Sequence, residues 1–522
     1  MDQNQRGNKK GLIWIVSIIL VFGIGAIGVF AYNQLVTKNP MVQYVNAEKN
    51  TFEEAWDYYD EYYGDSKVLS ERLLKEAYES SSTFTADTQL PAQLGQSDPM
   101  IGMVQGIVSS ISLNTETKVK PSTKEFYAGV DLSLQGSSLL DGNVYQNEEI
   151  TSFQVPALYD KYFVLENNGL GDYLRQAGAY EVPFEEIPNI IELQQETLTA
   201  EQLKEMVREY LTFLKDYVSE EKVNVEDNVK YEGESFTKLS VNFTEAEAQQ
   251  LIKDLLTKIR DDERFQSQFG DTELQKEEIN YLIDNVNLLK LPNGITYEAY
   301  MDGDYVSYRT LSFDITDEME QDSVTFSLNI NTLIQSGDKY TFDLALHVVP
   351  QTEEGELSIS YSENGAPNSG AYNVKQSLGF LYFDEWSDVD FAVNADTNYK
   401  DNTLESTFDV VINSPYTQDI PEISGFIKSN VSNGSSSAEK GFEFGIDLAM
   451  MDPMMGDMNF NFTIYGDTAI NFADNLEFPA VAENNSVYVF DLTPQELEQI
   501  MYEIEMNAMT YYQSFFGGFG GF

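Results

Sequence analysis

Between Ile295 and Gly466 apolar and polar residues alternate with a period of two, segment after segment, and no other feature constrains the fold of this chain as tightly. Val324, Phe326, Leu328 and Ile330 alternate with Thr325, Ser327 and Asn329. Beyond Ser336-Gly337-Asp338, Tyr340, Phe342, Leu344, Leu346 and Val348 alternate with Thr341, Asp343, Ala345 and His347. Leu357/Ile359/Tyr361, Val389/Phe391/Val393, Phe408/Val410/Ile412, Phe442/Phe444/Ile446/Leu448 and Met458/Phe460/Phe462/Ile464 repeat the pattern. Successive side chains of a strand point to opposite faces, so each segment predicts a strand with one apolar and one polar face. About eight to ten such strands make an antiparallel sheet that is wet on one side and wide enough to curl. Its apolar side needs a cover.

Four threonine-led segments supply helices for that purpose. Thr199 with Gln202, Thr244 with Glu247, Thr272 with Gln275 and Thr493 with Glu496 have capping-box spacing, in which an N-cap hydroxyl and the side chain three residues on satisfy each other's backbone amides. Ala248, Leu251, Ile252, Leu255 and Ile259 follow the second at helical period, and Leu497, Ile500, Met501, Ile504, Ala508 and Tyr511 follow the fourth. Upstream, residues 50–78 predict two helices broken at Gly64-Asp65, and Ser82 to Phe153 a first sheet. Leu198–Met206 resembles Leu492–Ile500, which leaves two readings open: an internal duplication with two related lobes, or shared capping chemistry.

Residues 11–32 contain no charged side chain and are long enough to cross the ~30 Å hydrocarbon core of a bilayer. Arg6, Lys9 and Lys10 precede them, which keeps that end cytoplasmic. The expectation is a single-pass signal anchor in the plasma membrane with residues 33–522 extracytoplasmic; a cleaved leader is the alternative, disfavoured by the length of the run. The fold expected is therefore α+β: an N-terminal transmembrane helix, then large curved antiparallel β-sheets in meanders covered on one face by helices. The segments are a cytoplasmic tail 1–10, an anchor 11–32, an N-terminal α+β lobe 33–196, a helical segment with a short strand pair 197–291, and a C-terminal sheet lobe with a terminal helix 292–522.

With 31 basic against 86 acidic residues the net charge is −55, a surface that repels nucleic acid and anionic lipid heads. The absence of cysteine excludes disulfides, thiol chemistry and cysteine-ligated metals, and the single histidine excludes two-histidine zinc motifs. His347 lies on the polar side of its strand with Asp343 four residues earlier, and no Gly-x-Ser-x-Gly elbow offers it a nucleophile. Met450, Met451, Met454, Met455 and Met458 have the softness Cu(I) prefers, but no histidine or cysteine supports them, so gap-filling thioethers are the simpler reading. Acidic groups such as Asp384/Glu385/Asp388/Asp390 and Asp302/Asp304 lack the rest of a calcium loop. No catalytic, cofactor-binding or metal-ligating residue is expected.

Phe153-Gln154-Val155-Pro156-Ala157-Leu158-Tyr159-Asp160-Lys161-Tyr162-Phe163 and Val241-Asn242-Phe243-Thr244-Glu245-Ala246-Glu247-Ala248, with the basic N-terminus and the apolar run, resemble a family of uncharacterised single-span extracytoplasmic proteins of Gram-positive bacteria. That resemblance implies no catalytic motif and no assigned activity. In architecture the chain is loosely similar to bacterial lipoprotein-carrier proteins, which implies a concave sheet able to hold acyl chains. The functional expectation is a non-enzymatic envelope binding protein holding a lipid or other apolar ligand between a sheet face of Phe326, Leu328, Phe342, Leu344 and Leu346 and a terminal lid of Leu497, Ile500, Met501, Ile504 and Tyr511. The alternative is a structural or sensory protein acting through an envelope protein partner.

Overall fold

The computed structural model describes residues 40–91, 99–176, 178, 185–195, 199–215, 217–218, 220–262, 264, 273–317, 322–335, 338–350, 355–383, 388–413, 421–452 and 456–516. Eight helices lie along them: α1 (Pro40–Lys75), α2 (Pro99–Val108), α3 (Leu170–Gln176), α4 (Ile190–Gln195), α5 (Ala200–Lys215), α6 (Glu245–Asp261), α7 (Glu273–Asn285) and α8 (Pro494–Phe516). The strands are β1 (Tyr78–Gln89), β2 (Ile111–Lys120), β3 (Glu125–Leu134), β4 (Ser137–Gln146), β5 (Ile150–Val155), β6 (Tyr159–Glu166), β7 (Val223–Tyr231), β8 (Glu234–Phe243), β9 (Ile295–Asp302) and β10 (Tyr305–Asp317). They continue as β11 (Asp322–Gln335), β12 (Lys339–Pro350), β13 (Glu356–Asn368), β14 (Ala371–Phe383), β15 (Asp388–Lys400), β16 (Thr403–Asn413), β17 (Glu422–Asn433), β18 (Ser437–Asp452), β19 (Gly456–Phe472) and β20 (Ser486–Tyr488).

The chain divides into two compact units, residues 1–64 with 198–425 and residues 65–197 with 426–522. In the first, β7 through β16 pair antiparallel in sequence order. Tight turns keep that order: Glu232-Gly233, Ser369-Gly370 and Asp401-Asn402 each join neighbouring strands with both residues at positive φ, the turn whose twist matches a hairpin. The core lies between the β8–β12 face and the helices. Leu251, Ile252 and Leu256 of α6 and Leu282 and Ile283 of α7 pack with Leu239, Val241, Tyr297, Leu311 and Phe313. Each of the larger side chains so buried contributes roughly 1.5–3 kcal/mol.

α6 begins at a complete capping box. Glu247 accepts hydrogen bonds from the Thr244 backbone N–H at 3.0 Å and hydroxyl at 2.9 Å, and Lys222 pairs with it at 3.0 Å. The Thr244 amide first, then the Lys222 and Thr244 side chains, lower the Glu247 pKa to about 2. A depressed carboxylate stabilises fully above its unfolded pKa of about 4.3 and stops doing so as pH falls through the folded value. Thermal melts from pH 5 to pH 2 should show a larger drop for the parent than for Glu247→Gln, whose amide does not titrate. Solvent screening of this exposed group keeps the difference small.

In the second unit β18, β19, β1, β2, β3, β4, β5 and β6 pair antiparallel in that order, and β20 adds parallel to β6. Here Arg72 of α1 donates to Asn433 Oδ1 at 2.8 Å and to the carbonyl of Gly434 at 2.6 Å, and its guanidinium stacks 3.6 Å above the Phe472 ring. Leu69, Val431, Ala438 and Ile470 form the small core beneath it.

Four expectations are corrected. The α+β arrangement of several helix-covered sheets behind a transmembrane helix gives way to one sheet of twenty hydrogen-bonded strands, because hairpin follows hairpin with few crossovers to interrupt the ladder. Residues 11–32 lie outside the described residues, and among the described residues no helix is long and apolar enough to cross a membrane. The transmembrane and signal-anchor descriptors, the plasma-membrane partner reached through one N-terminal span, and the single-pass placement with an extracytoplasmic C-terminal region are withdrawn with them. Of the longest described helices, α1 carries charges from Glu48 onward and α8 has four glutamates, Glu496, Glu498, Glu503 and Glu505, so neither is apolar enough to cross. α1 is also one helix through Gly64, where two had been expected.

Candidate functional site

The apolar face of the first unit is built by cross-strand register. Leu311, Leu328, Leu346, Ile359, Phe380, Phe391 and Ile412 stand directly opposite one another from β10 to β16. A second row runs Ile330, Leu344, Tyr361, Leu378, Val393, Val410, and a third runs Phe313, Phe326, Val348, Leu357, Tyr382, Val389. Directly opposed residues share a face, so the three rows form one uncharged surface from β11 to β15, and on β10 the second row ends at Arg309, opposite Ile330.

Its cover is uneven. Phe326 and Leu328 are 1% exposed and Leu346 6%, all three within the helix-covered core, with Leu344 partly buried against it. Phe326 stacks on Phe313 with ring centroids 4.6 Å apart. On β14 and at the start of β15 the same rows open to solvent, with Leu378 46% exposed, Phe380 37%, Tyr382 36% and Val389 37%, while Phe391, Val393, Val410 and Ile412 are half-buried. Solvent-facing apolar residues in three neighbouring rows form a contiguous patch, unlike a scattered surface leucine.

A polar group closes one end of this surface. Glu363 of β13, in phase with Leu357, Ile359 and Tyr361, stands opposite Phe342 and Gln376. It accepts hydrogen bonds from the hydroxyls of Tyr340 and Tyr361 and from Gln376 Nε2 at 2.8 Å. Burial, then the bond to Glu363, hold the Tyr340 phenol protonated well above its ordinary pKa. Half-buried Phe342 contacts Tyr361 beside it, centroids 6.1 Å apart.

The expected site residues do not share one unit. Phe326, Leu328, Phe342, Leu344 and Leu346 are on β11 and β12 of the first, whereas Leu497, Ile500, Met501, Ile504 and Tyr511 are on α8 of the second. Within its own unit α8 buries Ile500, half-buries Ile504 and Tyr511, and leaves Leu497 and Met501 exposed; Asn507 Nδ2 donates to the Leu158 carbonyl at 2.9 Å. Sequence reasoning missed Leu378, Phe380 and Tyr382, although their alternation is as regular as that of β11.

His347 Nδ1 lies 3.1 Å from Glu356 Oε1, while Asp343 accepts from Ser362 Oγ at 2.6 Å. Met450 opposes Met458 across the β18–β19 hairpin; Met454 and Met455 lie outside the described residues, as do Asp384 and Glu385. Among the described residues no three histidine, aspartate or glutamate side chains converge as a metal ion would require. In the second unit an open groove of about 600 Å³ overlies the polar face of β1–β4. Thr83, Asn114, Asp131 and Asp141 form one cross-strand row in its floor, with Thr83 Oγ1 donating to Asn114 Oδ1 at 3.0 Å.

No family model matches the chain. No curated protein matches it either. Among solved structures it is similar to OmpT, an outer membrane protein of Vibrio cholerae, at 10% identity and a TM-score of 0.21, covering 76% of this chain and 98% of that one. It is similar to OccK2 of Pseudomonas aeruginosa at 5% identity and a TM-score of 0.18, covering 76% and 97%. Similarity to the toluene transporter TodX of P. putida is 6% with a TM-score of 0.17, covering 78% and 93%. Long runs of antiparallel hairpins align at such values whatever their closure or role, so we take neither fold nor function from them.

Proposed function

We propose that the protein is a binding protein, not an enzyme, and that its first unit holds an apolar ligand of acyl-chain type along the β13–β16 part of the uncharged face. One observation carries the reading: rows that are packed against the core on β11 and β12 continue without a charge into β14 and β15, where Leu378, Phe380, Tyr382 and Val389 stay 36–46% exposed. Strands lie about 4.8 Å apart, so β13 to β16 offers a width near 14 Å, enough to seat much of an extended acyl chain. A ligand there removes apolar surface from water on both partners at about 25 cal/mol per Å². The lid role of α8 forms no part of this proposal.

Titration of the full chain with the neutral dye N-phenyl-1-naphthylamine tests it. Leu378→Asn combined with Phe380→Asn should weaken dye binding by at least about tenfold, ~1.4 kcal/mol, with little change in melting temperature because both side chains are already solvent-facing. Equal binding by parent and variant, or no binding by the parent, would remove the proposal.

A further inference from the structure

α8 presents a second surface, independent of the sheet face. Its inward stripe is Ile500, Ile504, Ala508 and Tyr511, and two adjacent ladders at four-residue spacing wind from the edge of that stripe, at Leu497 and Met501, onto the outward side. Leu497, Met501, Glu505 and Met509 form one; Glu498, Tyr502 and Met506 form the other. These residues are far from packed: Met501 is 57% exposed, Tyr502 64% and Met509 51%. The helix has no lysine, arginine or histidine, so glutamates alone stand between the exposed methionines.

Methionine suits an adaptable contact surface, because an unbranched thioether repacks around partners of differing shape. The interleaved glutamates select among those partners. A second copy of this chain, itself at −55, is repelled, and so is an anionic lipid surface. We infer that the outward face of α8 docks a basic amphipathic segment of a partner protein, with its apolar side against Met501, Tyr502 and Met509 and its lysines or arginines paired to Glu498 and Glu505. The mode is a helix laid against an apolar stripe, with charge setting orientation and partner choice.

Calorimetric titration of the full chain at about 0.15 M salt separates this from general attraction to an acidic protein. The probe is a short amphipathic peptide of leucine and lysine; a leucine and glutamate peptide of the same pattern is the control. Two double variants are compared, Met501→Gln with Met509→Gln, which removes apolar contact at constant charge, and Glu498→Gln with Glu505→Gln, which removes charge at nearly constant shape. All four positions are solvent-facing, so both variants keep the fold. The lysine peptide should bind the parent and lose at least about tenfold in affinity to each variant, and the glutamate peptide should not bind. Unchanged binding by the methionine variant means diffuse electrostatics and overturns the inference, as does equal binding of the two peptides or none of either. Phosphatidylcholine vesicles that bind the parent with the same methionine dependence, while the lysine peptide does not, overturn it in favour of a neutral lipid surface.

Discussion

Replacing Glu48 by leucine is expected to destabilise the first unit by about 3–5 kcal/mol, measured by denaturant unfolding, because it strands a buried cation. Glu48 of α1 and Arg309 of β10 are 3% and 5% exposed. Arg309 Nε donates to Glu48 Oε1 at 2.8 Å, its Nη2 donates to Oε2, and its Nη1 donates to Thr332 Oγ1 at 3.2 Å. Tyr44 adds a hydrogen bond to Glu48 Oε1 at 3.1 Å and shares another with Tyr297 at 2.7 Å. Burial opposes the charge on Arg309, but the Glu48 carboxylate outweighs it and raises the guanidinium pKa further above its ordinary value. Without Glu48 the guanidinium keeps its desolvation penalty and loses its compensation. Glu48→Leu with Arg309→Met removes both charges and should recover most of the loss, since a well-packed apolar pair substitutes for a buried ion pair at little or no cost. A single variant losing less than about 1 kcal/mol, or a double variant no better than the single, would show that the pair does not hold α1 to the sheet.

Gly294→Ala is the second large effect, on the order of 3–5 kcal/mol. Gly294 ends the turn leading into β9, donating its N–H to the Leu291 carbonyl at 2.8 Å, with φ at +66°. A Cβ there would sit 1.8 Å from the Phe243 carbonyl oxygen, and backbone at the end of β8 cannot yield as a flexible side chain would. Gly303 is the control: its φ is +61°, yet a Cβ meets nothing within 4 Å. Gly303→Ala therefore carries only the positive-φ penalty, about 1 kcal/mol. Equal destabilisation by the two substitutions would assign the effect to dihedral strain and remove the steric explanation.

Arg309 and Glu363 each carry a sequence signal that periodicity alone does not interpret. Arg309 is in phase with Leu311, Phe313 and Ile315, and Glu363 with Leu357, Ile359 and Tyr361, so each is a charge on an apolar face. Nothing local names the partner. Glu48 lies 261 residues from Arg309 in the chain, and a helix of Tyr, Glu and Thr reads as solvent-facing until the sheet that receives it is known. The capping boxes were legible for the opposite reason. Thr244 with Glu247, and Thr493 with Glu496, satisfy groups three residues apart, and the structure forms both.

By itself the sequence determined the strands and the hairpin turns, because a period of two and a pair of positive-φ turn residues act over a few residues and need no distant partner. It determined the helix starts after Thr244 and Thr493 on the same ground. Only the tertiary structure decided that β1 pairs with β19, Tyr78 opposite Phe472, and that Glu48 meets Arg309 and Arg72 meets Asn433. It alone decided where the apolar rows are core and where they are open. Alternation marks a face as apolar, but whether helices cover it depends on long-range closure, whose entropy is offset by burial summed over many residues and is written in no single segment.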